Sequence, residues 1–312
     1  MNQTVLDPHG PGARAIAELS WLLFGVSGFV YVAVVIVLVW AFARRRHDSD
    51  DAPHVTARIA RVVTGAVVLT ALTLVGLTAA SVAKGRGLNS PTGPGAITVD
   101  VIGHQWWWDF QYHDVTPSDW VSSPNELHIP VGVPVVIKAQ SRDVIHSFWV
   151  PNLHGKRDLT PGIVTNTWIQ ADTTGVYRGQ CAEFCGYQHA KMGFVVVAEP
   201  MDKFLEWIQH QRQPASPPGT EEQRQGHDVF MSAPCVTCHT VRGTAAGSRV
   251  GPDLTHVAAR LTIAAGALPN TRGHLAGWIS NPQSIKPGSR MPATGLSAAE
   301  LQSVLSYVRG LR

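Results

Sequence analysis

The sequence predicts a multi-domain chain: a two-helix transmembrane hairpin, then an all-β domain, then an all-α domain. Three observations carry this. Two apolar stretches, 19–43 and 62–83, contain no Asp, Glu, Lys or Arg. Residues 97–198 read as short β-rich runs bounded by turn residues. Beyond a Pro-rich segment that ends at Thr220 the chain becomes helical in character. Composition agrees. Charged residues make up 15% of the 312 residues, below the roughly one quarter usual for soluble domains, and hydrophobic residues make up 45%. A net charge of +3 is too small to point to nucleic acid as a partner.

Residues 1–18 read as an N-terminal tail and 19–83 as the hairpin. Each apolar stretch is long enough for a hydrocarbon core, which takes about 20 apolar residues. The second stretch carries Thr and Gly every few residues, a pattern suited to helix–helix contact in lipid. The loop between the spans holds Arg44, Arg45, Arg46, Arg58 and Arg61, while the tail holds only Arg14. The positive-inside rule then puts the loop in the cytoplasm and both termini on the opposite, periplasmic side of a bacterial plasma membrane. No basic segment precedes Leu19, which argues against a cleaved signal peptide.

A Gly/Pro-rich connector, 84–96, leads into the β domain at 97–200. Val133–Ala139, Ile163–Ala171 and Gly193–Ala198 are its clearest strands, and a small antiparallel sandwich or barrel is expected. A short helix, Met201–His210, and a semi-rigid linker with Pro214, Pro217 and Pro218 fill 201–220. In the last domain, 221–312, Ser297 and Glu300 form a capping-box pair. Leu301, Val304, Leu305 and Val308 form the apolar stripe of the final helix.

Cys181-Ala-Glu-Phe-Cys-Gly-Tyr-Gln-His-Ala-Lys-Met192 is a loop dense in soft donors. Cys, His and Met suit copper better than magnesium, calcium or manganese, which take oxygen. A disulfide is one alternative and structural zinc another, but zinc has little use for the thioether of Met192. The order places the Cys181 and Cys185 thiolates close enough to bridge two metal ions. Upstream His146 and His189 would be terminal ligands, with Met192 and the Glu183 backbone carbonyl as weak axial donors. A delocalised pair of copper ions changes geometry little on gaining one electron, so transfer is fast.

Cys235-Val-Thr-Cys238-His239 matches the attachment signal of c-type haem, with His239 adjacent for the proximal site. The carbonyl of Pro252, in Gly251-Pro252-Asp253-Leu254, could orient the His239 ring. Met291, His256 and His274 are candidates for the sixth position, and resemblance to the class I cytochrome c family, with its Met-Pro before the last helix, implies Met291. His/Met ligation raises a haem potential. Residues 221–312 resemble a class I cytochrome c domain throughout.

Residues 97–200 resemble the cupredoxin domain that carries CuA in subunit II of cytochrome c oxidase. The matching runs are Gly103-His104-Gln105-Trp106-Trp107-Trp108, Asp143-Val144-Ile145-His146-Ser147-Phe148, Lys156-x-Asp158-x-x-Pro161-Gly162, and Cys181–Met192. With the hairpin before and the haem domain after, the whole chain is similar to that family in its caa3-type form. The resemblance implies an exposed Trp106 as electron entry point, the alternative being an ordinary interfacial Trp. It also implies a role for the Glu183 side chain in a magnesium site at the interface with the catalytic subunit. The family's carboxylate, Trp and Pro at the start of the second span are absent from His54–Arg61, which puts a role in proton uptake in doubt. His54 is a weak substitute. His9, His47, His113, His128, His154, His210 and His227 show no partner pattern and are expected at the surface.

The expected function is electron input to a proton-pumping terminal oxidase. A cytochrome c donor reduces the haem, the haem reduces the copper pair, and the pair reduces a catalytic subunit I accompanied by subunit III. Oxygen is reduced there, so the chain is part of an enzyme with no catalytic residue of its own. A nitric oxide reductase subunit and a free-standing membrane-tethered carrier are the alternatives. Quinol-oxidising relatives lack the copper ligands present here.

Overall fold

A computed structural model describes residues 3–44, 53–88, 95–113 and 120–312. They fall into two units, Arg14–Ser90 and Met1–Ala13 with Pro91–Arg312. The first holds helix α1 (Pro11–Ala43) from Arg14 onward and α2 (Pro53–Leu88), whose apolar windows contain no buried residue, a surface that only lipid or another apolar chain can cover. α1 begins well before Leu19, so much of the expected N-terminal tail is helical. Pro11 supplies a preset φ at the first turn, where its missing N–H costs nothing. Within α2 the hydroxyls of Thr70, Thr73 and Thr78 donate back to the carbonyls of Ala66, Leu69 and Leu74, which satisfies those three donors within the helix. Lys84 donates to Glu18 at 2.5 Å. Arg45, Arg46 and His47 lie outside the described residues, as does the His54 side chain.

In the second unit, ten strands form two five-stranded sheets. They are β1 (Ile97–His104), β2 (Trp107–Tyr112), β3 (Val121–Pro124), β4 (Glu126–Pro130), β5 (Val135–Ser141), β6 (His146–Trp149), β7 (Arg157–Leu159), β8 (Thr165–Ile169), β9 (Gly175–Cys181) and β10 (Gly193–Glu199). The sheet orders are β3-β2-β1-β5-β8 and β4-β10-β9-β6-β7. The sandwich is mixed, which corrects the antiparallel expectation: β1 pairs with β5, and β4 with β10, in parallel. Alternation marks a strand and its buried face, but the direction of its neighbour depends on long connections.

Trp108, Phe110, Phe148 and Phe194 fill the centre as edge-to-face and stacked rings with centroids 5.0–6.5 Å apart. Gly179 permits this, because a Cβ there would lie 2.1 Å from the Phe194 ring.

His128 and His154 are buried, not superficial as expected. The His128 ring stacks on Trp207 of α3 (Met201–Gln211) at 4.1 Å, with Nδ1 2.7 Å from Glu199 and Nε2 3.2 Å from Glu126. Only an imidazolium donates to both carboxylates. Burial opposes protonation of His128, but the hydrogen bonds and charges of Glu126 and Glu199 outweigh it and raise the pKa. Stability from this group is therefore full below the unfolded-state pKa of about 6.5 and is lost as pH rises through the raised folded value. Thermal melts of the detergent-solubilised chain should show that decline, and His128→Asn should flatten it. At pH 6 the variant should cost about 1–3 kcal/mol by removing the cation shared by Glu199 and Glu126 Oε1. A decline that persists unchanged in the variant would refute the assignment.

The C-terminal domain is built from α4 (Glu221–Ser232), α5 (Arg272–Ser280), α6 (Pro282–Ile285) and α7 (Ala298–Gly310). Capping boxes start α4 at Thr220/Gln223 and α7 at Ser297/Glu300, the latter as expected. α4 crosses α7 at Gly226, where a Cβ would sit 1.8 Å from the Ser303 carbonyl oxygen, so only glycine allows the approach. Val304, Leu305 and Val308 of the expected stripe are buried with Phe230, Leu275 and Ile279. The first half of the linker is laid down on this domain: Ala215 N–H donates to Arg242 O at 2.9 Å, and Arg242 donates to the carbonyls of Gln211 and Gln213.

The sandwich and the C-terminal domain are in direct contact. Leu261 N–H donates to Glu126 at 2.8 Å, and Gly193 N–H donates to Ala265 O at 2.9 Å. Their charges oppose: residues 97–200 hold ten Asp/Glu against six Lys/Arg, and residues 221–312 hold nine Lys/Arg against five Asp/Glu. Opposite net charges favour the approach of the two domains.

Candidate functional site

The sheet itself assembles the first site. Cys181 ends β9 and pairs across to Phe148 on β6, whose first residue is His146. The loop leaves β9 and returns as β10, closed at its base by Cys181 N–H donating to Met192 O at 3.0 Å. Ala182 N–H donates to Ser147 O at 2.9 Å and holds the outgoing strand beside His146.

This brings the predicted donors together. Cys181 Sγ and Cys185 Sγ are 3.8 Å apart, too far for a disulfide bond of about 2.05 Å. All four cysteines are free. His146 Nδ1 lies 3.9 Å from Cys181 Sγ, and His189 Nδ1 lies 3.7 Å from Cys185 Sγ. Met192 Sδ is 3.8 Å from Cys185 Sγ, and the Glu183 carbonyl is 3.2 Å from Cys181 Sγ. Among the described residues, His146, Cys181 and Cys185 form the cluster able to hold a metal, with ligand atoms within 4.8 Å of one another. Hydrogen bonds from Cys185 and His146 outweigh burial and draw the Cys181 thiol down to about 3, while Cys185, sharing the same proton, is pushed up. Metal binding would release that remaining proton. The two sulfurs, two imidazoles, thioether and carbonyl fit soft copper ions.

Asp143 supports the site from outside. Its Oδ1 accepts from His146 Nε2–H at 2.8 Å, which leaves Nδ1 free to bind a metal. Asp143 Oδ2 accepts from Gln105 N–H at 2.7 Å. The floor is Trp108, whose ring lies edge-on to His146 at 6.0 Å. Glu183 is half-exposed with Lys156 4.0 Å away. Magnesium demands near-octahedral oxygen, so any such site at Glu183 needs ligands from elsewhere.

The second site lies in the C-terminal domain. Cys235, Cys238 and His239 line one cavity together with Pro252, Arg260 and Met291. Leu275, Ile279, Val304 and Val308 wall it. His239 Nδ1–H donates to Pro252 O at 2.7 Å, as the sequence suggested, leaving Nε2 unprotonated. Burial lowers the His239 pKa and keeps the ring neutral. An apolar slot with two free thiols at its rim and a neutral, oriented imidazole fits a covalent haem. Neither competitor for the sixth position lines the cavity: His256 Nε2 sits 3.1 Å from Gln213 O, and His274 Nδ1 sits 2.9 Å from Thr271 Oγ1.

Trp106 is not exposed as the resemblance implied. It is half-buried, packed on the sandwich core, and faces the C-terminal cavity. Its Nε1–H and the Nε2–H of Gln105 both donate to Cys185 O at 2.9 Å. Sequence reading missed Gln105, Gln188, Lys286 and Arg290 at this junction, because each acts on a partner in the other domain.

A family model of the cytochrome c oxidase subunit II periplasmic domain matches residues 118–199, and a cytochrome c model matches residues 223–312. Cytochrome c oxidase subunit 2 of Alkalihalophilus pseudofirmus is 33% identical over 319 residues, covering 100% of this chain and 91% of that protein. Cytochrome c oxidase subunit 2 of Bacillus subtilis is 30% identical over 228 residues, covering 70% of this chain and 63% of that protein.

Proposed function

The chain belongs to the cytochrome c oxidase subunit II family, and from that premise we propose a relay of two one-electron centres held in series. Coarsely, it is a membrane-anchored subunit that feeds electrons to a haem-copper oxidase, with a haem c domain and a copper domain. In the finer reading a cytochrome c reduces the haem held by Cys235, Cys238, His239 and Met291. Two copper ions held by His146, Cys181, the Glu183 carbonyl, Cys185, His189 and Met192 then pass the electron to catalytic subunit I, with subunit III alongside. Glu183 also contributes to an interface magnesium. Both domains face the periplasm of a bacterial plasma membrane.

The observation that carries the relay is the junction. Gln105 and Trp106 line the haem-site cavity and also donate to the Cys185 carbonyl in the copper loop. The haem and the copper pair supply the electron carriers. The protein residues space them and fix the ligating nitrogen of His146 and of His239. Phe184 and Tyr187 of the copper loop, and Val144 and Ile145 beside His146, are exposed apolar groups, which supports a subunit partner over that face.

Metal analysis and an optical spectrum of the purified chain test this reading. The expected result is two copper ions and one covalent haem per chain, with a near-infrared copper band. Purification from native membrane should co-isolate a large polytopic subunit. A fully functional chain isolated alone would leave a free-standing carrier instead, and a partner that reduces nitric oxide would change the acceptor.

A further inference from the structure

We propose that Lys286 is a positioning residue for haem-to-copper electron transfer, pinning the segment that leads into Met291 onto the turn that carries Trp106. This inference rests on the relay reading.

Lys286 belongs to the C-terminal domain yet is almost fully buried against the sandwich. Its Nζ donates to Trp106 O at 3.0 Å and to Ala264 O at 3.2 Å, one carbonyl from each domain. Burial pushes its amino group down to about 7, with the Lys191 charge adding to the effect. Both protonation states supply the two N–H donors that the carbonyls need. Among the described residues no carboxylate pairs with it. A buried amine without an anion is costly, and an apolar side chain of equal length would pack more cheaply. What an apolar chain cannot supply is the pair of directional bonds.

The neighbours of Lys286 are gripped as well. Lys191 Nζ donates to Ile285 O at 2.5 Å, and Gln188 Nε2 donates to Pro287 O at 2.5 Å. Both donors sit in the copper loop, flanking His189. Arg290 Nη2 donates to Gln105 Oε1 at 3.2 Å and lies 3.7 Å from Asp143, which orients His146. Six consecutive residues, Ile285–Arg290, thus run from the copper loop to the aromatic turn and end beside Met291. A domain held only by its linker would transfer at the intrinsic rate multiplied by the fraction of time it is docked. These bonds hold that fraction near one, and the buried Lys286 amine donates to both domains from a single atom.

The test uses the full-length chain carrying both centres. Haem is reduced by a light pulse, and its reoxidation is followed against the copper band. The wild-type chain should show one phase, insensitive to added viscosity. Lys286→Met should slow transfer at least tenfold and make it viscosity-dependent, with both optical spectra unchanged. Lys286→Gln keeps an N–H donor and should recover part of the rate. Hydrogen exchange on the unreacted chain gives an independent readout: amides of 261–266 and 285–290 should exchange faster in Lys286→Met. Wild-type transfer and exchange in both variants would overturn the proposal, as would slowing without viscosity dependence. A wild-type chain that lacks either spectrum would instead fail the relay reading.

Discussion

Replacing Cys181 by Ser should abolish the near-infrared copper absorption and leave the c-haem spectrum intact. Cys181 Sγ is central to the ligand set, within 3.9 Å of the Cys185 sulfur, the His146 Nδ1 and the Glu183 carbonyl. A serine hydroxyl is hard, and it does not ionise near neutral pH, so it replaces neither the thiolate charge nor its bridging. Losing an outer-shell partner already costs about 10–100-fold in metal affinity or activity, and a bridging ligand should cost more. The fold should survive, because the loop is closed by the backbone bond from residue 181 to Met192 O and not by the sulfur. Optical and paramagnetic spectra of the variant decide the matter, together with oxygen uptake in the assembled oxidase. An unaltered copper signal would remove Cys181 from the ligand set.

Met291→Ala should lower the haem midpoint potential by on the order of 0.1–0.2 V, within the range of about 0.8 V that axial ligands span. The haem should stay attached, since Cys235, Cys238 and His239 are untouched. Gln283 Nε2–H donates to Met291 O at 2.8 Å, so the backbone at this position is held independently of its side chain. A lower potential makes the haem harder for a donor cytochrome to reduce, and electron input should fall accordingly. Redox titration of the variant is the measurement. A potential equal to wild type would return the sixth position to His256 or His274; His256→Ala, which should leave the potential unchanged, separates those two.

Local information made much of this legible. The hairpin follows from charge-free length, and the candidate copper donors lie in twelve residues with a single distant addition, His146. Cys235–His239 is contiguous, and its Pro252 acceptor follows closely. What escaped the sequence were the distant pairings that no motif marks. His128 looks like a surface group until Glu199, 71 residues on, is brought 2.7 Å from its ring. The parallel partners β5 of β1 and β10 of β4 leave no trace in alternation. Nothing local marks Lys286, because its acceptor, Trp106, is 180 residues away. Trp106 reads as exposed for the same reason: the domain that covers it is encoded after a linker, and no local pattern announces contact.

That covering has a consequence for selectivity. A bare copper domain with an uncovered aromatic would accept electrons from any reductant able to collide with it. Here Lys286 and its neighbours sit over Trp106, so a passing reductant meets the C-terminal domain first. On the proposed relay the fused domain would act as a stopper over Trp106, and admission of electrons would be decided by what can dock at the haem domain and by its potential.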